Sequence, residues 1–363
     1  MGPAGELYQM KILYGIQTTG NGHIVRGKAM IKALRAKGHE VETILSGDSG
    51  KRIIDAHVFE PSQRKEGLTF VTEEGRIKYL QTIKELNLVK FFSDVMTYKP
   101  EGVDLIISDF EPITARIAKR YKIRSIGVGH MYSFFHDVPV SDTGLIGKMV
   151  MQQFAPVDIP LGLHWHHFDQ PILPPTIPPD VRQGTVEEDK ILVYLPFEKL
   201  DPILKKLKRI TDHRFYIYCN IDESKEDGNL VMRPFSRLGF VEDLATCSGV
   251  ICNCGFSMIS EALHLGKRVL TKPVKGQTEQ ESNARALEEL GYATVIHHLR
   301  TPAIRRWLET PSQEPMAYPD VIQPLVDWIT EEAWDDYRSL IDRLWEGRKS
   351  QMPEEVPIGE RAA

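Results

Sequence analysis

Short apolar strands alternate with amphipathic helices in two consecutive series, and this pattern restricts the fold of the chain more than any other feature. Strands that are apolar on both faces and separated by helices form parallel sheets covered on both sides. We therefore expect an α/β protein built from two doubly wound, Rossmann-like domains that face a cleft. The strands are predicted at residues 12–16, 41–45, 104–108 and 124–128 in the first series, and at 190–195, 215–219, 231–235, 250–253, 268–271 and 293–296 in the second.

A proline-rich stretch separates the two series, with prolines at positions 156, 160, 171, 174, 175, 178 and 179. Because proline fixes φ and lacks an amide donor, this stretch is predicted to be an extended connector and not a helix. The chain is long enough for two cores of ordinary size. We assign the domains and their flanking segments to residues 10–160, 161–185 (the connector), 186–330 and 331–363 (a C-terminal helix and tail).

Helical periodicity predicts further elements outside the strands. In the first series helices are expected at residues 24–36, 77–96 and 114–120, and residues 321–345 near the C-terminus also have helical periodicity. Residues 352–363 are polar and are expected to fray. The native chain is expected to start at Met10, where the apolar strand pattern begins abruptly.

Composition excludes several classes of partner and location. The net charge of -5 gives no basic excess for binding a polyanion, so nucleic acid is not an expected partner. No apolar run is long enough to cross a bilayer, and no secretion signal is recognisable. Cys219, Cys247, Cys252 and Cys254 lack zinc or redox spacing and are predicted to be buried thiols, which fits a reducing cytoplasm.

Residues 249–283 form the most informative unit of the second series: a strand, a glycine turn, a helix, a strand, a polar loop and the start of a second helix. The unpaired amides and the dipole of a helix N-terminus favour a diphosphate. The residues predicted to contact this diphosphate are Gly255, Phe256, Ser257 and Met258. Glu261, one turn further along the helix, is predicted to accept both ribose hydroxyls, with an exposed helix glutamate as the alternative.

Two further pairs complete the predicted donor site. Glu279 and Gln280 precede a helix and are predicted to bind sugar hydroxyls, although a first-turn acid that completes a cap is the alternative. Phe235 and Phe240 lie just before the unit, where a nucleobase is expected, and ordinary core packing is the alternative. Together these features predict a nucleotide-sugar site.

The segment Gly20-Asn21-Gly22-His23 follows the first strand and predicts a catalytic site. Carboxyl ends of parallel strands face the cleft, and imidazole titrates close enough to neutral pH to remove a proton from an acceptor hydroxyl. Asp109 ends another strand and is predicted to orient His23. The alternatives are a histidine and an aspartate that each cap a helix. Gly22 belongs to a flexible loop that is expected to help hold the diphosphate.

Two groups of aromatic and histidine side chains lie near the connector. His130, Tyr132 and Phe134 follow a strand end and are predicted to line the acceptor side, with core packing as the alternative. His164, His166 and His167 can share one face of an extended segment, which invites a metal interpretation. Since no carboxylate motif lies nearby, packing of the connector is preferred, and no metal site is assigned.

The motifs of both series resemble those of GT-B glycosyltransferases, especially family 1 UDP-glycosyltransferases and the bacterial peptidoglycan-precursor N-acetylglucosaminyltransferase. The similarity spans most of residues 10–350. The resemblance implies a GT-B architecture with an N-terminal acceptor-side domain and a C-terminal domain that binds a UDP-sugar. The matching residues are Gly255, Glu261, Gly266, Pro273, Gln280 and Asn283 in the second series, and Gly20-Asn21-Gly22-His23 with Gly38-His39-Glu40-Val41 in the first.

Two other nucleotide-binding classes fail on their motifs. An NAD-binding fingerprint needs a third glycine at position 25, where Val25 stands, and an acid at the end of the second strand. A P-loop needs Lys and Ser or Thr where Asn21 and Gly22 stand. A GT-B nucleotide-sugar epimerase and a non-catalytic nucleotide-sugar-binding protein are the alternatives that the motifs leave open.

We therefore predict an inverting glycosyltransferase that moves a sugar from a nucleoside diphosphate sugar, by resemblance a UDP-sugar, to an acceptor hydroxyl without a metal ion or other cofactor. The acceptor is left open among a glycan, a lipid-linked molecule and a small molecule. The expected location is the cytoplasm. A peripheral contact with the inner face of the membrane, through Phe134 and residues 149–151, is also left open.

Overall fold

The computed structural model describes residues 9–47, 56–68, 72–73, 76–77, 87–141 and 151–346, and the statements below concern these residues. They confirm an α/β fold with two large, mainly parallel sheets. The predictions for residues 1–8, for the first part of the helix at 77–96, for residues 149–150 and for the tail at 352–363 fall outside the described residues.

The first domain has a parallel sheet with helices in its crossovers. Its elements are β1 (Lys11–Gln17), α1 (Asn21–Ala36), β2 (Glu40–Ser46), β3 (Ser62–Lys65), β4 (Thr72–Glu73), β5 (Arg76–Ile77), α2 (Leu88–Thr97), β6 (Leu105–Asp109), α3 (Pro112–Tyr121), β7 (Ser125–Gly129) and β8 (Ile159–Gly162), with short 3-10 helices at Ala56–Phe59 and His130–Phe135. In the described part of the chain the parallel strands follow the order β3-β2-β1-β6-β7-β8, and β4 and β5 form a separate antiparallel pair. The central strands β1, β6 and β7 are apolar and buried along nearly their whole length, as expected for a sheet covered on both faces.

The second domain repeats this design. Its elements are β9 (Glu187–Tyr194), α4 (Leu200–Leu207), β10 (Arg214–Cys219), β11 (Lys225–Asp227), β12 (Leu230–Pro234), α5 (Arg237–Thr246), β13 (Cys247–Asn253), α6 (Phe256–His264), β14 (Arg268–Lys272), α7 (Thr278–Leu290), β15 (Thr294–Val295) and α8 (Thr301–Leu308). The strand order is β11-β12-β10-β9-β13-β14-β15, and β11 pairs antiparallel with β12 at the edge. All six strands predicted for this domain are present.

Strand order reverses once in each sheet, and this point locates the site. The reversal lies between β1 and β6 in the first sheet and between β9 and β13 in the second. Ligands of open α/β sheets bind outside the carboxyl ends of the strands at such a switch point. In the first sheet the strands beside it end at Gln17 and Asp109, and in the second at Tyr194 and Asn253.

The connector is extended, as predicted, and its side chains belong to an apolar core shared by both domains. Residues 163–186, all described, contain turns and one isolated bridge between Leu163 and Leu173 but no helix. Trp165 is 1% exposed, and its Nε1 donates to Oγ of Ser260 on α6 at 2.9 Å. Since the core is continuous across the connector, the two domains are packed together.

The C-terminal region forms two helices where one was predicted. Residues 321–345 contain α9 (Ile322–Thr330) and α10 (Tyr337–Glu346), separated by a turn in which Glu332 has a φ of 53°. Both return to the first half of the chain: Lys37 of α1 pairs with Asp327 at 2.6 Å, and Nε1 of Trp345 donates to the carbonyl of Ile172 at 2.7 Å. The chain therefore crosses between the domains twice.

The four cysteines are buried and unpaired, which confirms the sequence prediction. Burial raises the pKa of the Cys247 thiol to about 11 and that of Cys252 to about 12. Thiols held in the protonated form are poor nucleophiles and poor metal ligands. These side chains therefore serve as small apolar core residues.

Glu111 caps α3 from a buried position and ties it to β2. Its carboxylate accepts from the amides of Ile113 at 2.9 Å and Thr114 at 2.7 Å, from Oγ1 of Thr114 at 2.7 Å, and from Oγ of Ser46 at 2.6 Å. Four donors to one carboxylate make this cap a strong local constraint. It fixes the start of α3 directly after the strand that carries Asp109.

We expect Glu111→Ala to lower the free energy of unfolding by about 2–4 kcal/mol, because it removes the cap and leaves buried donors unpaired. Chemical denaturation followed by circular dichroism measures the change. Glu101→Ala removes the same charge from an exposed position and should change stability by less than about 0.5 kcal/mol. Equal effects of the two substitutions would contradict the assigned role of Glu111.

Candidate active site

His23 and Asp109 are in direct contact at the switch point of the first sheet. Nδ1 of His23 lies 2.7 Å from Oδ1 of Asp109, and the aspartate side chain is fully buried whereas that of His23 is 23% exposed. Because a carboxylate accepts, Nδ1 carries the proton and donates, which leaves Nε2 with its lone pair. An imidazole held in this tautomer can accept a proton at Nε2.

Arg26 is the second partner of Asp109. Its Nε donates to Oδ2 at 2.8 Å, and one terminal nitrogen donates to Oδ1. Burial alone would raise the pKa of Asp109, but the Arg26 guanidinium and the contact with His23 hold this pKa below its ordinary value. Asp109 is therefore a stable carboxylate despite complete burial.

Neither capping alternative agrees with the structure. The N-cap of α1 is Gly20 and no side chain caps this helix, so His23 is not a capping residue. The N-cap of α3 is Glu111, so Asp109 has no capping role. A β-carbon on Gly20 would lie 3.1 Å from Cδ2 of His23, which shows that this glycine leaves room for the imidazole ring.

The predicted diphosphate turn starts α6, and α1 meets it across the cleft. Gly255 is the N-cap, no side chain caps the helix, and open space lies where Gly255 would carry a β-carbon. Gly22 in the first turn of α1 lies so close that a β-carbon there would overlap the hydroxyl of Ser257. The N-termini of α1 and α6 thus converge.

A small cavity lies beside this contact. It measures about 20 Å³ and is lined by both helices, by connector residues 176–178 and by Glu261. Such a volume holds about one water molecule. The cavity is therefore too small to hold a nucleoside diphosphate.

Glu261 is buried at the edge of this cavity and forms an ion pair that the sequence did not suggest. Both carboxylate oxygens accept from one terminal nitrogen of Arg237, at 2.9 and 3.1 Å, and the rest of that guanidinium donates to Asp180 of the connector at 2.8 and 2.9 Å. Burial raises the pKa of Glu261, and Arg237 opposes this effect. Glu261 lines the cavity, whereas Arg237 is not among its lining residues. The structure therefore rules out the exposed-glutamate alternative, and the ribose contact stays a prediction.

Gln280 and Glu279 are adjacent but have different surroundings. Oε1 of Gln280 accepts from the amides of Cys254 at 3.1 Å and Val274 at 2.9 Å, and the residue is 3% exposed. Gln280 thus braces the strand ends through its amide oxygen, and its contact with a sugar stays a prediction. Glu279 is half-buried at the start of α7, and its charge acts on Arg26 and His130 across the cleft. The carboxylate of Glu279 is the better candidate for a sugar contact.

The aromatic residues expected near a nucleobase are only partly packed. Phe235 is 51% exposed at the end of β12. Phe240 on α5 packs edge-on against Tyr194 and Tyr218, with ring centroids 5.6 and 5.3 Å away. Phe240 combines core packing with partial exposure, whereas Phe235 is accessible at the carboxyl edge of the sheet.

The residues predicted to line the acceptor side are buried, which favours the core-packing alternative. Tyr132 is inaccessible and donates to the carbonyl of Ala155 at 3.1 Å, and Phe134 is 2% exposed. Both are core residues because they fill the space beside β7 and β8, so Phe134 offers no surface for a membrane. His130 is 4% exposed: its ring stacks on Phe256 at 4.0 Å, and Nε2 lies 2.6 Å from Oδ1 of Asn283. His130 therefore joins the two domains.

The connector histidines are packing residues. Nδ1 of His164, His166 and His167 accepts from the backbone amides of Trp165, Phe168 and Asp169, respectively, each at 2.9 Å. Burial lowers the pKa of His164 well below its usual value. Among the described residues, no group of three or more His, Cys, Asp or Glu side chains has an arrangement that could hold a metal ion.

Sequence reasoning missed several of the charged residues of the site. Arg26 lies three residues after His23 on α1, so helical spacing could have suggested that both face Asp109. Arg237 and Asp180 had no such signal, because Asp180 lies 57 residues and Glu261 24 residues from Arg237 along the chain. Their contact depends on the tertiary fold.

The comparisons agree with this arrangement of domains and strand ends. The sequence model of the family described as glycosyl transferase family 1 matches residues 10–310. The chain belongs to this family. A protein of Methanosarcina acetivorans named as an uncharacterized glycosyltransferase is 26% identical over 387 residues, which cover 92% of this chain and 93% of that protein.

Solved structures with similar folds are also glycosyltransferases. The structure described as the glycotransferase of kitacinnamycin has a TM-score of 0.57 at 13% identity and covers 95% of this chain and 100% of its own. The Streptomyces sp. SF2575 glycosyltransferase SsfS6, complexed with thymidine diphosphate, has a TM-score of 0.53 at 13% identity. The match covers 95% of this chain and 97% of the SsfS6 chain. This protein is thus a glycosyltransferase of the GT-B fold, as the sequence motifs predicted. None of the helices described here combines the length and apolar character needed to span a bilayer.

Gly22→Ala should lower the melting temperature of this glycosyltransferase. Alanine favours a helix over glycine by about 1 kcal/mol, but here its methyl group would overlap Ser257, and such overpacking costs about 1–3 kcal/mol. Differential scanning calorimetry measures the net effect. Adding Ser257→Gly removes both overlapping side-chain atoms and should recover the loss. A melting temperature that rises in the single variant would show that α1 and α6 are not in contact.

Proposed function

We propose that this glycosyltransferase moves a sugar from a nucleoside diphosphate sugar, preferably a UDP-sugar, to an acceptor hydroxyl with inversion and without a metal ion. The observation that carries the proposal is the meeting of two uncapped helix N-termini beside the His23–Asp109 pair. The two helix N-termini suit binding of the leaving diphosphate, and the His23–Asp109 pair suits deprotonation of the acceptor.

The electrostatics of α1 and α6 support binding of the diphosphate. Each helix N-terminus carries the equivalent of about +0.5 charge, so the two together supply about one positive charge at their point of contact. Neither is neutralised by a capping side chain. A diphosphate between Gly22 and Ser257 would accept from the amides of both helices. This arrangement can stabilise the departing nucleoside diphosphate without a cation.

The tautomer of His23 supports its role as the base. With its proton on Nδ1 and directed to Asp109, the ring accepts the proton of the acceptor hydroxyl at Nε2. The acceptor oxygen then forms a bond to the anomeric carbon while the bond to the diphosphate oxygen breaks, and the diphosphate takes the electron pair. Attack from the face opposite the leaving group inverts the anomeric centre. Asp109 stabilises the imidazolium that results.

The second domain supports binding of the rest of the donor. Glu261, which lines the cavity, would accept from the ribose hydroxyls, and Glu279, whose charge acts on Arg26 from across the cleft, would contact the sugar. Phe235 offers an exposed ring for the base. Thymidine diphosphate lacks the 2′-hydroxyl, so a carboxylate that binds both ribose hydroxyls favours UDP.

The closed cleft supports a cycle of opening and closure. Since the cavity beside Ser257 holds about one water molecule, donor entry requires the domains to separate. Closure around the donor would then exclude water and limit hydrolysis of the activated sugar. The buried reduced cysteines support a cytoplasmic location, where thiols persist.

His23→Ala should reduce turnover at least about 100-fold and leave donor affinity within about twofold, because general-base catalysis contributes about 10²–10⁴-fold. The donor is first identified as the nucleotide sugar that most raises the melting temperature. Release of nucleoside diphosphate is then measured with a panel of hydroxyl acceptors in buffer containing EDTA, where the wild type should remain active.

The matched control for this experiment is His57→Ala, which removes an exposed histidine of the same domain and should leave turnover unchanged. Near-wild-type turnover of His23→Ala would refute the assignment of the base. Conversion of the donor sugar without any acceptor would identify an epimerase, and loss of all turnover in EDTA would refute the metal-free scheme.

Glu261→Ala should weaken UDP binding at least about tenfold, because the ribose hydroxyls lose a charged acceptor. It should also reduce the preference for UDP over thymidine diphosphate, since that preference depends on the 2′-hydroxyl. Isothermal titration calorimetry with both nucleotides gives the two affinities. Arg237 keeps its pair with Asp180 in this variant, so the fold should persist. Glu242→Ala, at an exposed position on α5, is the control; an equal loss there would contradict the ribose contact.

A further inference from the structure

Arg26 contacts both members of the catalytic pair and has no role in the scheme above. Its terminal nitrogen lies 3.3 Å from Nδ1 of His23, while the Asp109 oxygen lies 2.7 Å from the same atom. The arginine side chain is 4% exposed and that of Asp109 is fully buried. A guanidinium stays protonated under all ordinary conditions, so this positive charge is permanent.

We propose that Arg26 is a positioning residue that orients the Asp109 carboxylate and offsets part of its charge, and thereby limits how strongly that carboxylate stabilises protonated His23. The proposal rests on the proposed function, in which His23 is the base. It explains why Arg26 is buried three residues after His23 on the same face of α1.

The argument starts from the two opposite charges near His23. A proton on Nε2 would be attracted by Asp109 and repelled by Arg26, and both charges lie at similar distances from the ring. Because the charge interaction depends on the inverse of the distance, the repulsion from Arg26 opposes part of the attraction from the nearer Asp109. Without Arg26, a buried carboxylate alone would stabilise the imidazolium, as a nearby opposite charge does in general.

Other titratable groups around the pair do not replace Arg26. Tyr14 on β1 and Tyr132 in the 3-10 helix after β7 have pKa values raised by burial, so they stay neutral. Burial lowers the pKa of His130, which favours its neutral form. Glu279 on α7 brings a negative charge that acts on Arg26 from across the cleft.

Glu111, the remaining charged group near the pair, faces α3 and is saturated by its own donors. Among the described residues that the structure places against Asp109, Arg26 is thus the cation that balances this carboxylate. Its fork geometry, with Nε on one oxygen and a terminal nitrogen on the other, also fixes the carboxylate plane that His23 meets.

A purely structural role for Arg26 makes a different prediction. Removing one partner of a buried pair destabilises the fold but need not change how His23 titrates. The titration of His23 therefore separates the two roles. It also does not depend on catalysis, so it can be measured whether or not His23 proves to be the base.

The test follows the NMR titration of the histidine ring carbons in full-length protein, with the His23 signal among the 12 histidines assigned from its loss in His23→Ala. In Arg26→Gln we expect the titration midpoint of His23 to move up by at least about one pH unit. The acidic limb of the kcat/KM profile should move with it. Arg26→Lys retains the charge and should keep the midpoint closer to that of the wild type.

Two further variants keep the test decisive if Arg26→Gln does not fold. Arg26→Gln combined with Asp109→Asn leaves no unpaired buried charge, and its midpoint should lie below that of Arg26→Gln because the carboxylate charge is gone. Asp109→Asn alone leaves Arg26 unopposed and should lower the midpoint. An unchanged midpoint in Arg26→Gln, or an Asp109→Asn midpoint that is not below that of the double variant, would overturn the proposal. If His23→Ala remains active while these shifts occur, the base assignment fails and the role of Arg26 in the titration stands.

Discussion

The carboxylate of Asp109 is the group on which the N-terminal half of the site depends. It is completely buried, and such a charge is tolerated only because two partners meet it from one face of α1. This requirement fixes the rotation of α1 about its own axis, since His23 and Arg26 must both reach the end of β6. The rotation in turn directs Gly22 toward α6. One buried charge thus determines which side of the first helix faces the second domain.

The two buried carboxylates of the site, Asp109 and Glu261, are balanced by positive charge in different ways. Asp109 is balanced by Arg26 within one domain, whereas Glu261 is balanced by Arg237, which is itself held by Asp180 of the connector. The second pair therefore depends on the position of the connector, and the first does not. The acid–base chemistry is set within the N-terminal domain, while the donor-binding carboxylate is linked to the segment that joins the domains.

Periodicity and motif spacing were sufficient for the architecture and for the His23–Asp109 contact, because strand ends at a switch point are determined by topology. They also placed Gly255 and Glu261 correctly on α6. They did not decide between two surroundings for some side chains: the amide oxygen of Gln280 accepts from backbone amides, and Tyr132 and Phe134 are buried in the core. The break between α9 and α10 was missed because apolar spacing continues through the turn at Glu332. Long-range ion pairs such as Arg237 with Asp180 leave no trace in local sequence.

The return of α9 to the first domain and of α10 to the connector has a mechanical consequence. Two domains joined by a single linker can rotate relative to each other in any direction. Here the chain passes between the domains at two separate places, before β9 and before α9. Two fixed points define a line, and the lobes can rotate about that line with little strain in either passage. Any separation of the two domains would therefore be a rotation about this line, and the residues farthest from the line would move the most.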